Sequence, residues 1–236
     1  MDLLAANLAS APAEEEVALG PWRLRRGGGG RRAMAATLEG PLGEGDVKAA
    51  LARMRCWGQR PVFQVRAGED ALDAALAADG LFREGETLIL AAPAAAVAHR
   101  EPDVAVIDCD GPLAALVEIW RAAGIGPGRL AGMARVPEPK RYLLGRLRDR
   151  PAGAAFVSAF VSAAGGVAML NALEVVERAR RQGLGRRMVG WAGAWAAEAG
   201  AETLAVAVDA ENAPARALYA GLGMVPAAAY HYRVGS

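Results

Sequence analysis

The sequence predicts an α/β chain built on a mixed sheet and arranged as two similar halves. Three observations carry that expectation. A strand–glycine turn–helix unit runs from Leu170 to Trp195, a strand–loop–helix–glycine unit follows from Thr203 to Gly223, and a fainter version of both lies between Gly40 and Phe82. Strand-like runs alternating with helix-period segments are the pattern of folds that lay helices on a sheet.

From the N-terminus, Met1 to Ser10 lacks a basic stretch followed by a long apolar run, so no secretory leader is expected. Trp22–Arg25 and Ala33–Leu38 read as strands on either side of Arg25-Arg26-Gly27-Gly28-Gly29-Gly30-Arg31-Arg32. Basic glycine-rich segments suit nucleic-acid phosphates, but no aromatic residue interleaves this one to stack a base. It reads as a flexible hairpin tip, with no nucleic-acid partner. Asp46–Met54 is a helix, Arg60–Val65 a strand, and Asp70 onward a helix stopped at Gly80. In the segment Glu101–Asp149, Leu113, Leu116, Val117 and Trp120 fall at helical spacing before the break Gly124-Ile125-Gly126-Pro127-Gly128. A boundary near Gly111 divides the chain into 1–110 and 111–236. Ala154–Val161, Gly165-Gly166 and Val167–Val176 form a hairpin that feeds the next unit.

That unit is the most informative. The strand Leu170–Val176 ends in an arginine cluster, then Gly183-Leu184-Gly185 turns into a helix with Leu184, Met188, Trp191 and Trp195 on one face. Glycines at such a junction let backbone N–H groups converge, and a helix start adds unpaired donors and partial positive charge. Arg180, Arg181, Arg186 and Arg187 surround the spot. Arginines in a first helical turn are unfavourable, so Arg186 and Arg187 point to an anion. A dinucleotide fingerprint is excluded because Met188 stands at its third glycine, and no G-x-x-x-x-G-K-[ST] string follows any strand.

Arg180-Arg181-Gln182-Gly183-Leu184-Gly185 resembles the [QR]-x-x-G-x-[GA] signature of the GNAT superfamily, the acetyl-CoA-dependent N-acetyltransferases. Downstream, Thr203–Val208, Asn212-Ala213-Pro214-Ala215-Arg216-Ala217-Leu218-Tyr219 and Gly221-Leu222-Gly223-Met224 resemble the family's strand–N-x-x-A-x-x-L-Y-x-x-x-G-F element, with Met224 where Phe is usual. Tyr230-His231-Tyr232-Arg233 is an aromatic ending common in relatives. The resemblance covers roughly residues 150 to 236 and implies a GNAT fold, with acetyl-CoA as cosubstrate and an amine-bearing acceptor.

It also implies roles. The Arg180–Arg187 turn would hold the coenzyme pyrophosphate, with Asn212 on the coenzyme side while also capping its helix. A backbone amide of Val175 or Val176 would bind the acetyl carbonyl. Tyr219 matches the family's general acid; a half-buried structural tyrosine with its hydroxyl at the surface is the other reading. Glu174 breaks the apolar alternation of its strand, either as general base or as a solvent-facing residue. His231 ranks behind it. Glu177 departs from the Pro often found there. Neither cysteine lies in the motif region, so direct attack in a ternary complex is expected. The early helices shape the acceptor site in this family, which puts Trp120–Met133 facing substrate.

Laying Gly80 on Gly223 puts Val62–Val65 on the second strand, Leu76 on Tyr219, Gly40-Pro41-Leu42 on Gly183-Leu184-Gly185 and Thr37 on Arg180. The front half is thus read as a repeat that has lost its coenzyme site and its acid. Tandem forms with one degenerate copy are known in the superfamily, and Gly20-Pro21-Trp22-Arg23-Leu24-Arg25 resembles their N-terminal half.

A net charge of +1 over 236 residues gives no global pull toward nucleic acid or anionic membranes. Cys56 and Cys109 are far apart and not in metal spacing, which fits a reduced cytoplasmic setting. No apolar window is long enough to span a bilayer; Ala91–Ala98 is short and contains Pro93. A monomer or homodimer is expected, since two fused copies can satisfy pairing internally. The alternative function is a non-catalytic acyl-CoA-binding or regulatory module. The acceptor is open.

Overall fold

The computed structural model describes residues 1–43, 45–100, 105–163 and 165–236, so the first four residues of the intervening segment Glu101–Asp149 lie outside the described residues. Helix α1 (Leu3–Ala9) starts at Asp2, whose carboxylate accepts the Ala5 N–H at 2.7 Å. The sequence pattern gave no sign of it, because so short a helix buries only Ala6 and Asn7. Strands β1 (Glu15–Leu19), β2 (Trp22–Arg26) and β3 (Thr37–Leu38) make a three-stranded antiparallel sheet. Helix α2 (Arg31–Met34) lies between β2 and β3, which corrects the reading of Gly27–Gly30 as a hairpin tip. The glycines form a strand-to-helix connection packed so closely on Gly128 that a Cβ at Gly29 would sit 2.9 Å from its carbonyl oxygen.

The front half continues through α3 (Asp46–Cys56), β4 (Val62–Arg66), α4 (Asp70–Ala78), β5 (Phe82–Pro93) and α5 (Ala94–Val97). The back half contains β6 (Val106–Cys109), α6 (Ala114–Ala122), α7 (Pro127–Arg135), β7 (Lys140–Leu147), β8 (Arg150–Ser162) and β9 (Gly165–Val175). A 3₁₀ turn at Glu177–Ala179 leads to α8 (Leu184–Glu198), β10 (Thr203–Asp209), α9 (Ala213–Ala220) and β11 (Val225–Val234).

The halves repeat one backbone plan. In the back, β9 and β10 run parallel, with Val167–Leu170 beside Thr203–Val206. In the front, Ala36, just ahead of β3, makes the equivalent parallel bridge to Phe63 of β4. Each parallel contact is followed by a helix capped by a left-handed glycine, Gly45 at φ 82° and Gly183 at φ 83°. Gly80 and Gly223 match as well, at φ 81° and 79°. The structural counterpart of Gly183 is therefore Gly45, not Gly40. The ungapped overlay, anchored on Gly80 and Gly223, missed this because α3 has 11 residues where α8 has 15.

The two halves exchange their last strands. The eight-stranded sheet runs β4-β11-β5-β10-β9-β8-β7-β6. Strand β5 of the front half pairs with β10 of the back, β11 of the back pairs with β4 of the front, and β5 and β11 pair antiparallel with each other. Strand β6 joins the back sheet through β7.

Apolar side chains fill both faces. Helices α8 and α9 cover one face of the back half with Leu184, Met188, Val189, Trp195 and Tyr219 against Leu143, Val157, Leu170 and Val206. On the opposite face, α6 and α7 pack Leu116, Trp120 and Met133 on Tyr142 and Phe156. The front half closes α3 and α4 over Trp22, Phe63 and Val65. Helix α1 packs across the centre, on Tyr230, Tyr232 and Met169. No helix among the described residues is long and apolar enough to cross a membrane.

Candidate active site

The site begins at a bulge in β9. Ala154 faces Glu174 and Phe156 faces Asn171, so Ala155 is opposed by both Ala172 and Leu173. Ala172 takes φ 50°, and its carbonyl accepts the Trp120 indole N–H at 2.8 Å. Trp120 is fully buried, so it holds the bulge and does not face substrate as expected. Beyond the bulge, β9 runs on to Val175 while its pairing with β10 has ended at Leu170–Val206, so the parallel strands splay into a V.

Of the two strand amides expected to meet the acetyl carbonyl, that of Val176 donates to Ala152 O at 2.9 Å and is not free. Antiparallel pairs alternate between bonded and non-bonded partners, so Val175, paired with Gly153, aims its N–H at the open edge.

The turn after the V is built as an anion cradle. The backbone N–H groups of Arg181 to Arg186 have no acceptor among the described residues, and the first helical bond runs from Arg187 N to Gly183 O at 3.1 Å. Gly183 needs its left-handed φ, and a Cβ there would meet nothing within 4 Å, which leaves room on the ligand side. Gly185 serves packing, since a Cβ would come 3.3 Å from Leu218 Cδ2. Leu184 is buried beneath the turn. Arg181, at φ 60°, carries left-handed strain where glycine is usual.

The side chains brace this loop. Arg180 Nε donates to Val175 O at 3.0 Å, Gln182 Nε2 to Arg178 O at 2.9 Å and Arg186 Nη1 to Gly221 O at 3.0 Å. Gly221 ends α9, so Arg186 satisfies a helix C-terminal carbonyl. That gives it a structural reason to occupy a first helical turn, and its presence no longer requires an anion. Arg187 is half-buried on the same turn. Asn212 caps α9 by accepting the Ala215 N–H at 3.1 Å, as its position foretold.

Tyr219 on α9 is 7% exposed, so it is not the surface tyrosine of the alternative reading. Burial, followed by the negative charge of Glu174, pushes its phenol up to about 12. Glu174 is half-buried at the inner end of the V. Burial raises its carboxyl above the usual range, against the opposing pull of Arg180 and Arg129. The acid and base candidates are thus electrostatic neighbours. His231 is elsewhere: its ring Nε2 lies 2.6 Å from Asp73 Oδ1, which also accepts Arg233 Nε at 2.6 Å, tying β11 to α4.

Two arginines that the sequence did not single out lie nearby, Arg129 within the Trp120–Met133 segment expected to face substrate and Arg32 at the end of the basic glycine segment. Arg129 lies in the first turn of α7, and its guanidinium makes no hydrogen bond or ion pair among the described residues. Arg32, on α2, donates to Asn171 Oδ1 at 2.7 Å and to Asn7 Oδ1. Both line a cleft with Gly28, Gly29, Gly128 and Asn171. Pro127 at the helix start was a readable signal for α7. Nothing in the local pattern says that Arg129 and Arg32, 97 positions apart, meet.

Residues 113–224 match the model of the Acetyltransferase (GNAT) family. That segment of the chain is similar to a GNAT acetyltransferase domain. Solved structures extend the likeness to the whole chain at the level of fold. A GCN5-related N-acetyltransferase from Kribbella flavida superposes with TM-score 0.73 at 19% identity, over 99% of this chain and 95% of its own. A tandem GNAT protein from the clavulanic acid biosynthesis pathway gives 0.63 at 16% identity, over 91% of this chain and 77% of its own. A GCN5-related N-acetyltransferase from Sphaerobacter thermophilus gives 0.56 at 12% identity, over 98% and 91%. No curated protein sequence matches this chain. These likenesses show a GNAT-type mixed α/β fold.

Proposed function

We propose that this protein is an N-acetyltransferase that moves an acetyl group from acetyl-CoA to a primary amine by direct attack. The observation that carries this is the row of unpaired N–H groups from Arg181 to Arg186, beside a V that holds both a raised carboxyl and a protonated phenol. The cradle fits a pyrophosphate: it offers backbone donors, and the ligand side of Gly183 is open. In this reading Arg180, Arg181, Gln182, Gly183, Leu184, Gly185, Arg186 and Arg187 bind or shape the coenzyme pocket. Asn212 lies on its other side, and the Val175 N–H binds the acetyl carbonyl.

Glu174 takes a proton from the incoming ammonium and leaves a neutral nucleophile. As nitrogen bonds to the acetyl carbon and the carbon–sulfur bond breaks, Tyr219 gives its proton to the sulfur, and the proton that the new amide nitrogen sheds passes to solvent, from which Tyr219 is reprotonated. A phenol near 12 giving a proton to a thiolate whose acid is about 8.5 runs uphill by roughly 5 kcal/mol. The transfer must therefore accompany bond cleavage, and the phenol acts first as a hydrogen-bond donor to sulfur. The division at 110/111 belongs to the same proposal, with residues 111–236 catalytic and 1–110 a non-catalytic copy. In that copy Leu76, fully buried, stands for Tyr219.

Calorimetric titration with acetyl-CoA, wild type beside Arg181→Glu with Gly183→Asp, tests the cradle. Micromolar binding lost in the variant supports the reading, and no binding by folded wild type overturns it. Binding without turnover of any amine, and with no effect of Tyr219→Phe on the slow hydrolysis of acetyl-CoA, would favour the acyl-CoA-binding module.

A further inference from the structure

Arg129 and Arg32 are an unbalanced pair of cations. Arg32 is held by two neutral side-chain amides, Asn7 and Asn171. The Arg129 guanidinium has no hydrogen-bond or ion-pair partner among the described residues, although burial and the nearby Arg32 both work against its charge. Guanidiniums that face each other in a half-buried cleft repel and are poorly solvated, so such an arrangement persists most readily when a ligand supplies the counter-charge. Among the described residues the carboxylate that favours the charge of Arg129 is Glu174, which acts through space without a salt bridge. The enclosed part of the cleft is about the size of one water, ≈ 10 Å³, and the surrounding Gly28, Gly29 and Gly128 bring backbone rather than side chains to its wall. That admits no more than one small anionic group, such as a carboxylate, at the mouth, with the rest of its molecule outside.

We propose that the acceptor is a small zwitterion of the α-amino-acid class, its carboxylate held by Arg129 and Arg32 and its ammonium presented to Glu174. Glu174 and the arginine pair form a complementary template, negative beside positive, that matches an amine and a carboxylate on one small molecule. The glycine loop and Arg32 come from the front half and Arg129 from the back, so the non-catalytic copy would contribute directly to acceptor recognition. This rests on the acetyltransferase reading of the same site.

The test is an acceptor panel of α-amino acids and their carboxamides with acetyl-CoA, following release of the free thiol, with direct calorimetry of the preferred amino acid alongside. The expected result is that acids outperform their carboxamides by about 100-fold in kcat/KM. Arg129→Gln should raise the acid's KM by about 10–100-fold with kcat nearly kept, leave the carboxamide unchanged, and be partly rescued by Arg129→Lys. Equal use of acids and carboxamides, an equal loss of both in Arg129→Gln, or turnover of other amines but of no amino acid overturns the proposal. Failure of acetyl-CoA itself to bind overturns only the parent reading. Arg129-dependent binding of an amino acid in the calorimeter would then still support the carboxylate site.

Discussion

Gly183→Ala separates the cradle's backbone geometry from its packing. The residue caps α8 at φ 83°, where a side chain costs about 1–2 kcal/mol. A Cβ there meets nothing within 4 Å, so no steric cost is added. For a 236-residue chain this should lower Tm by about 2–8 °C, leaving the protein folded at 25 °C. The ligand should feel more. A methyl group projecting on the open side displaces a phosphate from converging N–H donors, and loss of one charge-assisted hydrogen bond, worth about 1.5–3 kcal/mol, weakens binding about 10–150-fold. Gly185→Ala is the control. Its Cβ would press on the flexible end of Leu218 at 3.3 Å, partly offset by a helix-propensity gain of up to about 1 kcal/mol, so Tm and affinity should barely move. Differential scanning fluorimetry and calorimetric titration with acetyl-CoA measure both quantities. Wild-type affinity in Gly183→Ala, or an equal loss in Gly185→Ala, would refute the assignment of the Gly183 side as the phosphate face.

Three further outcomes follow from the geometry. Glu174 must be ionised to accept a proton, so kcat/KM should fall as pH drops through its raised pKa, above the ordinary glutamate range, and Glu174→Gln should abolish that limb in a stopped-flow pH series. Asp73 is held well below the usual carboxylate range by hydrogen bonding to Arg233 and then His231, so its contribution is full above about pH 4 and fades as the pH falls below it. Asp73→Asn should therefore lower urea stability at pH 7 by about 1–3 kcal/mol, with a smaller difference near pH 3; a difference independent of pH would contradict the ion-pair account. Trp120→Phe removes the donor to Ala172 O at the bulge and should cost about 1–3 kcal/mol, with a larger fall in kcat than in acetyl-CoA affinity; unchanged kcat would show that the bulge does not depend on this bond.

The cradle was legible because its information is local. A strand, a glycine with forced φ and a helix start occupy consecutive positions, and Asn212-Ala213-Pro214 spells a helix cap in the same way. The repeat was legible in outline through Gly80 and Gly223, but the shorter α3, 11 residues against the 15 of α8, misaligned Gly40 with Gly183. Trp120 was misread because amphipathic spacing cannot tell a core face from a ligand face, and its indole partner is set by a bulge 52 positions away. The cleft arginines and the strand exchange were invisible for a similar reason. Arg32 and Arg129 meet only after the halves interlock, and no periodicity within β5 or β11 says which strand will lie beside it.

The interlocked sheet also constrains how the chain can be made. Strand β11 holds the last paired residues, and until it leaves the ribosome neither β4 nor β5 has its neighbour on that side. The front segment must therefore wait, with two exposed hydrogen-bonding edges, while well over half of the polypeptide is still being synthesised. Vectorial synthesis would leave this protein reliant on late, long-range pairing. Truncation near its C-terminus should therefore disrupt residues at the opposite end of the sequence first.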